Sequence, residues 1–346
     1  MAALPARRRI RACDPRGIGG YWNMILRNWL GGLALTCLLP AFAADIRIGF
    51  IGLDTSHATA FADLLNDPAA KDHVSGARVV AAVPGGSPDI DSSWQRVPDY
   101  TGTLVKKHDI HIHGTIEAML REVDAVMLLS VDGRPHLAQA RPVIAAHKPL
   151  FLDKPMAGSL KEGAEIFRLA KEAGVPVFSS SSLRYGRKTV AVHQGSLGTV
   201  TNAVTGSPAH LEPTHPDLFW YGIHGVESLF TVMGPGCQSV RRSKTATGGI
   251  EVSGVWSGGR SGTFREDKGY TGEARGEKGS SEVGAYDGYA PLVVEVVKFF
   301  QTGQPPVAAE ETLEILAFME AADLSKKRDG ASVTLDEVRR AAGLIR

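Results

Sequence analysis

Residues 48–57 read IGFIGLDTSH. An apolar run that ends in a glycine turn and leads into a helix opens a dinucleotide-binding βαβ unit when its glycines follow G-x-G-x-x-G. Gly52 stands at the first of those positions, but Asp54 occupies the second and His57 the third. The first glycine serves the tight turn, the second the approach of backbone to pyrophosphate, and the third the packing of helix on strand. A carboxylate at the second position costs energy beside a diphosphate unless it turns away to cap the helix. Asp54, Thr55 and Ser56 are all strong N-cap types. The amide groups of the helix start then still face the phosphates, so the turn is expected to hold a nucleotide in altered geometry.

Outward from this turn the pattern alternates. IRIGFIG, ARVVAAV, DAVMLLS, PLFLDKP and VPVFSSSS read as buried strands, and HATAFADLLND, TIEAMLREV, HLAQARPVIAAH and SLKEGAEIFRLAKEAG read as helices between them. Short apolar strands separated by helices predict a doubly wound parallel sheet, a Rossmann domain over residues 45–182. The histidines of KKHDIHIHG (His108, His111 and His113) alternate along a predicted strand and are read as structural. From residue 183 the texture changes to Thr-, Val-, Gly- and Ser-rich segments such as GTVTNAVTGS and GGIEVSGVWSGGRSGTFRE. These predict antiparallel strands joined by glycine turns. With the helices YGIHGVESLFTVMG, PLVVEVVKFFQTG and EETLEILAFMEAADLSKKRDG they make residues 183–346 an α+β domain with an open, mainly antiparallel sheet. Its C-terminal helix is placed to pack back on the Rossmann domain. The chain is therefore expected to be α/β overall.

The 346 residues suffice for two domains, with 43% hydrophobic and 22% charged residues, and a net charge of +1 gives no electrostatic case for nucleic acid or an anionic membrane. Small neutral partners stay open. Residues 1–43 are set apart as an N-terminal extension and signal peptide. MILRNWLGGLALTCLLPAFAAD has one early arginine, an apolar stretch and small residues at Ala41 and Ala43. Translation is expected to start at Met24 and cleavage to fall before Ala44. That stretch is shorter than a membrane span of about 20 residues, so no stable insertion is expected after cleavage. Cys13 and Cys37 leave with the leader and only Cys237 remains, which excludes an internal disulfide. A periplasmic or secreted protein results.

The order of elements, with PLFLDKPMAGSLKEGAEIFRLAKEAGVPVF at its centre, resembles the Gfo/Idh/MocA family of oxidoreductases over nearly all of residues 46–336. The likeness rests on the opening turn, SVDGRPH after the fourth strand, a Glu-Lys-Pro signature present as Asp153-Lys154-Pro155, YGIHGVESLF, and the closing helix. It implies an N-terminal NAD(P)-binding domain, a C-terminal domain that carries substrate and forms homo-oligomers, and hydride transfer at a carbon of a sugar, glycoside or cyclitol. It places Lys154 between cofactor and substrate and makes His224 the general acid and base. In that pattern an aspartate four residues before the histidine orients it; here the position is Trp220, with Asp217 and Glu227 as substitutes. For NAD or NADP the resemblance implies Gly52, Asp54, Thr55, Ser56, His57, Ser87, Ser130, His136, Asp153 and Lys154. For substrate it implies Arg184, Asp217, Trp220, Tyr221 and Glu227.

Lys154 follows a parallel strand, where open α/β sheets place their ligands, and a cation there suits a developing alkoxide. After the second strand PGGSPD supplies no ribose-binding acid; Ser87 with glycine amides favours a ribose phosphate and Asp89 favours NAD. His210, Glu212, His215, Asp217 and His224 are of metal-ligating type but match no metal motif, so no metal is expected. Two functions remain. One is an exported oxidoreductase, in one variant with a recycling bound cofactor that exchanges hydride between sugars or cleaves a glycoside through a keto intermediate. The other is a non-enzymatic carbohydrate-binding protein that has lost its nucleotide.

Overall fold

The computed structural model describes residues 44–346. The predicted leader, with its start at Met24 and its cleavage site, lies outside the described residues. Six parallel strands form the first sheet: β1 (Ile46–Ile51), β2 (Ala77–Val83), β3 (His111–Ile112), β4 (Ala125–Leu128), β5 (Leu150–Asp153) and β6 (Val177–Ser180). Their order is β3-β2-β1-β4-β5-β6, so the chain reverses direction across the sheet between β1 and β4. This is the switch point at which such sheets open a ligand crevice. β4, β5 and β6 are buried at every position, which is why they read as unbroken apolar runs.

Helices α1 (Ser56–Asn66), α2 (Asp91–Trp94), α3 (Val97–His108), α4 (Ile116–Met119), α5 (His136–Ala145) and α6 (Leu160–Ala173) join these strands. Two readings need correction. TIEAMLREV gives only the four residues of α4; Leu120 and Val123 reach the core from a turn, not from a helix face. In KKHDIHIHG, Lys106 to His108 close α3, and Asp109, at φ 53°, ends it. Only His111 and Ile112 are extended.

The second half contains α7 (Arg187–His193), β7 (Val200–Ser207), α8 (Ile223–Met233), β8 (Cys237–Lys244), β9 (Ile250–Trp256), β10 (Ser261–Glu266), β11 (Thr271–Gly276), β12 (Gly279–Glu282), α9 (Ala290–Thr302), α10 (Ala309–Lys327), β13 (Val333–Thr334) and α11 (Leu335–Ala341). The sheet order is β12-β11-β7-β10-β9-β8-β13, with β7 and β10 parallel and the other pairs antiparallel. Strict alternation in β9 buries Ile250, Val252 and Trp256 beneath α8 and α10, where Phe230 and Phe318 meet Trp256. α9 returns to the first sheet: Leu292, Val293, Val296 and Phe299 join Ile48, Phe50 and Phe61 in one core. Burial of each such side chain contributes about 1.5–3 kcal/mol, enough to fix α9 to the Rossmann unit.

Candidate active site

Elements from both halves deliver polar side chains to one cavity of 440 Å³: the first turn of α1 brings Ser56 and His57, the end of β5 brings Lys154, the π-helical turn Leu218–Gly222 brings Tyr221, and the first turn of α8 that follows it brings His224. Trp220, Tyr270, Tyr286 and Tyr289 supply aromatic walls. Lys154 is 7% exposed, its Nζ lying 5.6 Å from the centre of the Tyr221 ring. Burial lowers its pKa against the attraction of Asp153 and Glu227. His224 places Nδ1 2.7 Å from Ser181 Oγ. Burial, together with repulsion from Lys154 and His57, holds it well below the ordinary histidine range. His57 bonds through Nδ1 to the Asp153 carboxylate.

Three residues predicted to touch substrate lie elsewhere. Asp217 is taken by Arg242 at 2.6 Å and Lys326 at 2.7 Å, so it does not orient His224. Glu227 accepts from Ser180 Oγ, the Ser181 amide and Arg184 Nε, at 2.8, 2.8 and 2.9 Å. Arg184 also reaches Glu311 at 2.6 Å, and Arg184 and Glu227 thus form a buried ion pair behind the cavity. Glu227 holds the amide of Ser181, the residue whose hydroxyl meets His224. Helical spacing gave these residues a face but not their partners. Ser181, Tyr270, Tyr286 and Tyr289 were missed, because nothing near them in the chain marks them as neighbours of Lys154.

On the nucleotide side Gly52 keeps its role: φ is 84°, and a Cβ there would collide with Ser130. The cap of α1 is Thr55, which accepts from the His57 amide at 3.3 Å. Asp54 does not cap. It is fully buried and accepts from the Val131 amide at 3.1 Å and Ser93 Oγ at 2.7 Å, and burial raises its pKa. Beyond the turn a second cleft of 430 Å³ is lined by Gly85 to Asp89, Ser130, Asp132 and Arg134. Ser87 Oγ donates to Asp132 at 2.5 Å, and Arg134 bridges Asp132 and Asp89. Burial disfavours the charge on Asp132, but hydrogen bonds from His215, Arg134 and Ser87 prevail and hold it far below the usual carboxylate range. His136 lines neither cavity; its ring nitrogens lie 2.9 and 3.1 Å from the carbonyl oxygens of Ser130 and Met156. The residues fit a dinucleotide. The Asp54 carboxylate is withdrawn from the helix start, Thr55 and Ser56 open onto one cavity, and the second cleft lies beyond the glycine turn.

The histidines of the predicted metal-type cluster are dispersed: His215 to Asp132 at 2.8 Å, His210 against the Tyr221 ring, and His224 to Ser181. At the edge strand β3, His111 and His113 lie 3.1 and 3.2 Å from Glu122, outside the cavity lining. His108 pairs with Asp63.

Fold and site together fit a nicotinamide-nucleotide oxidoreductase, with residues following the Rossmann sheet and residues of the open-sheet half lining one cavity. Residues 46–181 match the family described as an oxidoreductase family with an NAD-binding Rossmann fold, GFO_IDH_MocA. Over these residues the chain matches that family, and the sheet order of the rest of the fold is compatible with it. No curated protein sequence matches it. Among solved structures it is similar to myo-inositol dehydrogenase from Lactobacillus casei in complex with NAD(H) and myo-inositol, at 16% identity and TM-score 0.66, covering 84% of this chain and 97% of that one. Apo scyllo-inositol dehydrogenase from the same organism gives 14%, 0.68, 84% and 98%. An oxidoreductase from Agrobacterium radiobacter in complex with NAD+, L-tartaric acid and magnesium gives 14%, 0.67, 85% and 100%.

Proposed function

We propose that the protein oxidises a secondary alcohol on a carbohydrate or cyclitol with NAD or NADP. One observation carries this reading: Lys154 and His224, far apart in sequence, converge on a single aromatic-walled cavity at the end of the parallel sheet. The tyrosine and tryptophan faces suit the C–H faces of a sugar ring. A bound nicotinamide supplies the hydride acceptor. Lys154 places a cation where a hydroxyl oxygen gains charge, and its burial in a site of low dielectric strengthens that interaction. His224, held neutral, hydrogen-bonds the substrate.

The leader at residues 1–43 supports export to the periplasm or beyond, where no nicotinamide pool replaces a lost cofactor. Retention through turnover follows from that, with hydride exchanged between two sugars or returned to a keto intermediate. At nanomolar affinity the nucleotide is held by about 12 kcal/mol and survives purification. The second reading, a carbohydrate-binding protein without nucleotide, is favoured by one feature: Asp54 and His57 replace two of the motif's glycines.

The test is protein isolated from its native envelope, denatured, and its released small molecules identified by mass spectrometry. About one NAD(P) per chain, with turnover of a sugar or cyclitol without added cofactor, is expected. Lys154→Met is expected to abolish that turnover with unchanged circular dichroism. Empty protein that binds neither nucleotide at millimolar concentration, yet binds a carbohydrate, sinks the oxidoreductase reading.

A further inference from the structure

The geometry points to a second proton-handling pair in the same cavity: the His57 imidazole, oriented by the Asp153 carboxylate, takes the proton of the substrate hydroxyl. This rests on the oxidoreductase reading above. The last glycine of G-x-G-x-x-G exists so that helix and strand can approach, and a ring at that position has to be accommodated. Here it is clamped. His57 stacks on Phe61 at 5.1 Å and 22°, and the Tyr289 ring stands edge-on to it at 4.7 Å. Nδ1 is held by Asp153 Oδ2, while Asp153 Oδ1 accepts the Lys154 amide at 2.8 Å.

Asp153 is 3% exposed, and burial alone would raise its pKa. Attraction and a hydrogen bond from His57, with help from Lys154, outweigh this and keep it ionised. An ionised carboxylate only accepts, so Nδ1 carries the proton and the lone pair of the neutral ring falls on Nε2. The ring lines the cavity beside Lys154 and His224. A free nitrogen towards substrate with a carboxylate behind the ring is the arrangement that orients a general base and stabilises the imidazolium it becomes.

His224 has no such support. Its Nδ1 partner is the Ser181 hydroxyl, Trp220 stands where an acid would sit, and Lys154 and His57 both oppose a charge on it. The groups facing His57 are Asp153 and Lys154 from the end of β5, His224 from α8 and Tyr289 from the loop before α9. Among them Asp153 is the one carboxylate, and it holds Nδ1. In the step, the substrate O–H bond breaks and its proton passes to Nε2. A bound oxidised nicotinamide would accept the hydride as the C–H bond breaks and the carbonyl forms. Imidazolium then returns its proton to water.

A ring that merely fills the space of a glycine would show none of this chemistry. Nitrogen-15 NMR of histidine-labelled protein, without substrate or nucleotide, reads the tautomer directly. We expect His57 protonated at Nδ1 and bare at Nε2 in its neutral form, a preference lost in Asp153→Asn. Protonation at Nε2, or a spectrum indifferent to Asp153→Asn, overturns the pair. With the polyol turned over by the wild type, His57→Gln is expected to lower kcat by about 10²–10⁴, flatten its pH dependence and leave KM within about threefold. Added imidazole is expected to restore part of the rate to His57→Ala. An undiminished kcat with the wild-type pH profile in His57→Gln assigns the ring to structure and overturns the proposal. A wild type that oxidises no polyol with either nucleotide counts against the oxidoreductase reading instead, and the NMR result still decides the pair.

Discussion

Asp54 shows how one residue can depart from a motif without losing the turn. Its carboxylate joins the β1 turn to the loop after β4 through the Val131 amide, and to α2 through Ser93. The sequence made capping the natural role for an aspartate there; the structure gives the cap to Thr55 because the Asp54 side chain points inward. Burial raises its pKa, so the ionised form is the less favourable one in the fold, and the stability it contributes when protonated is lost as pH rises through the folded value. Asp54→Asn keeps an acceptor for Val131 and removes the buried charge. Its urea midpoint at pH 7 is expected to equal or exceed that of the wild type. Asp54→Gly, which would restore the motif, loses both hydrogen bonds and is expected to cost about 1–3 kcal/mol in the same titration. A glycine variant as stable as the wild type would show that these bonds contribute nothing.

At the level of elements, α8 matters most, because it carries His224 onto the sheet. Gly225 sets that approach: a Cβ would meet the Phe264 ring and, at 2.9 Å, Ser207 Oγ. Gly225→Ala is expected to destabilise by about 1–3 kcal/mol through overpacking and to lower activity by displacing the helix. Thermal unfolding and turnover check both effects, and an alanine variant with wild-type melting would show that α8 has room to shift. YGIHGVESLF was legible as a helix from its spacing, as were β1, β2, β4, β5, β6 and α6 from their apolar runs. α3 was not, since only Leu104 among its twelve residues is buried and its sequence offers few apolar residues to mark a helix face. The site divides the same way. Lys154, Tyr221 and His224 sit in local motifs and line the cavity. Arg134, Asp132 and Ser181 owe their positions to residues 40 or more places away, such as Ser87, His215 and His224, and no local pattern encodes that.

For the whole molecule, the two sheets are tied together by buried charge, and this makes the assembly sensitive to acid. His215 and Asp132 join the loop before α8 to the Rossmann sheet, and Arg184 with Glu227 and Glu311 joins the end of β6 to α8 and α10. Two of the groups with lowered folded pKa values bear on this: His224, through burial and repulsion from Lys154 and His57, and Asp132, through its three partners acting against burial. A lowered folded value means that the unfolded chain binds more protons as pH falls past the unfolded value. Stability is therefore present above that value and lost below it. For His224 the loss starts near pH 6.5, and for Asp132 near pH 3.8. Each group in its window contributes a slope of about 1.4 kcal/mol per pH unit. Melting temperatures are expected to fall steadily from pH 7 to pH 5. His224→Gln removes the titrating ring, so its melting temperature is expected to change less over that range than the wild type's. Parallel curves for the two proteins would mean that His224 takes up its proton in the folded cavity as readily as in the unfolded chain. The imidazole would then be open to solvent, and the neutral hydrogen-bonding role given to it beside Lys154 would fail.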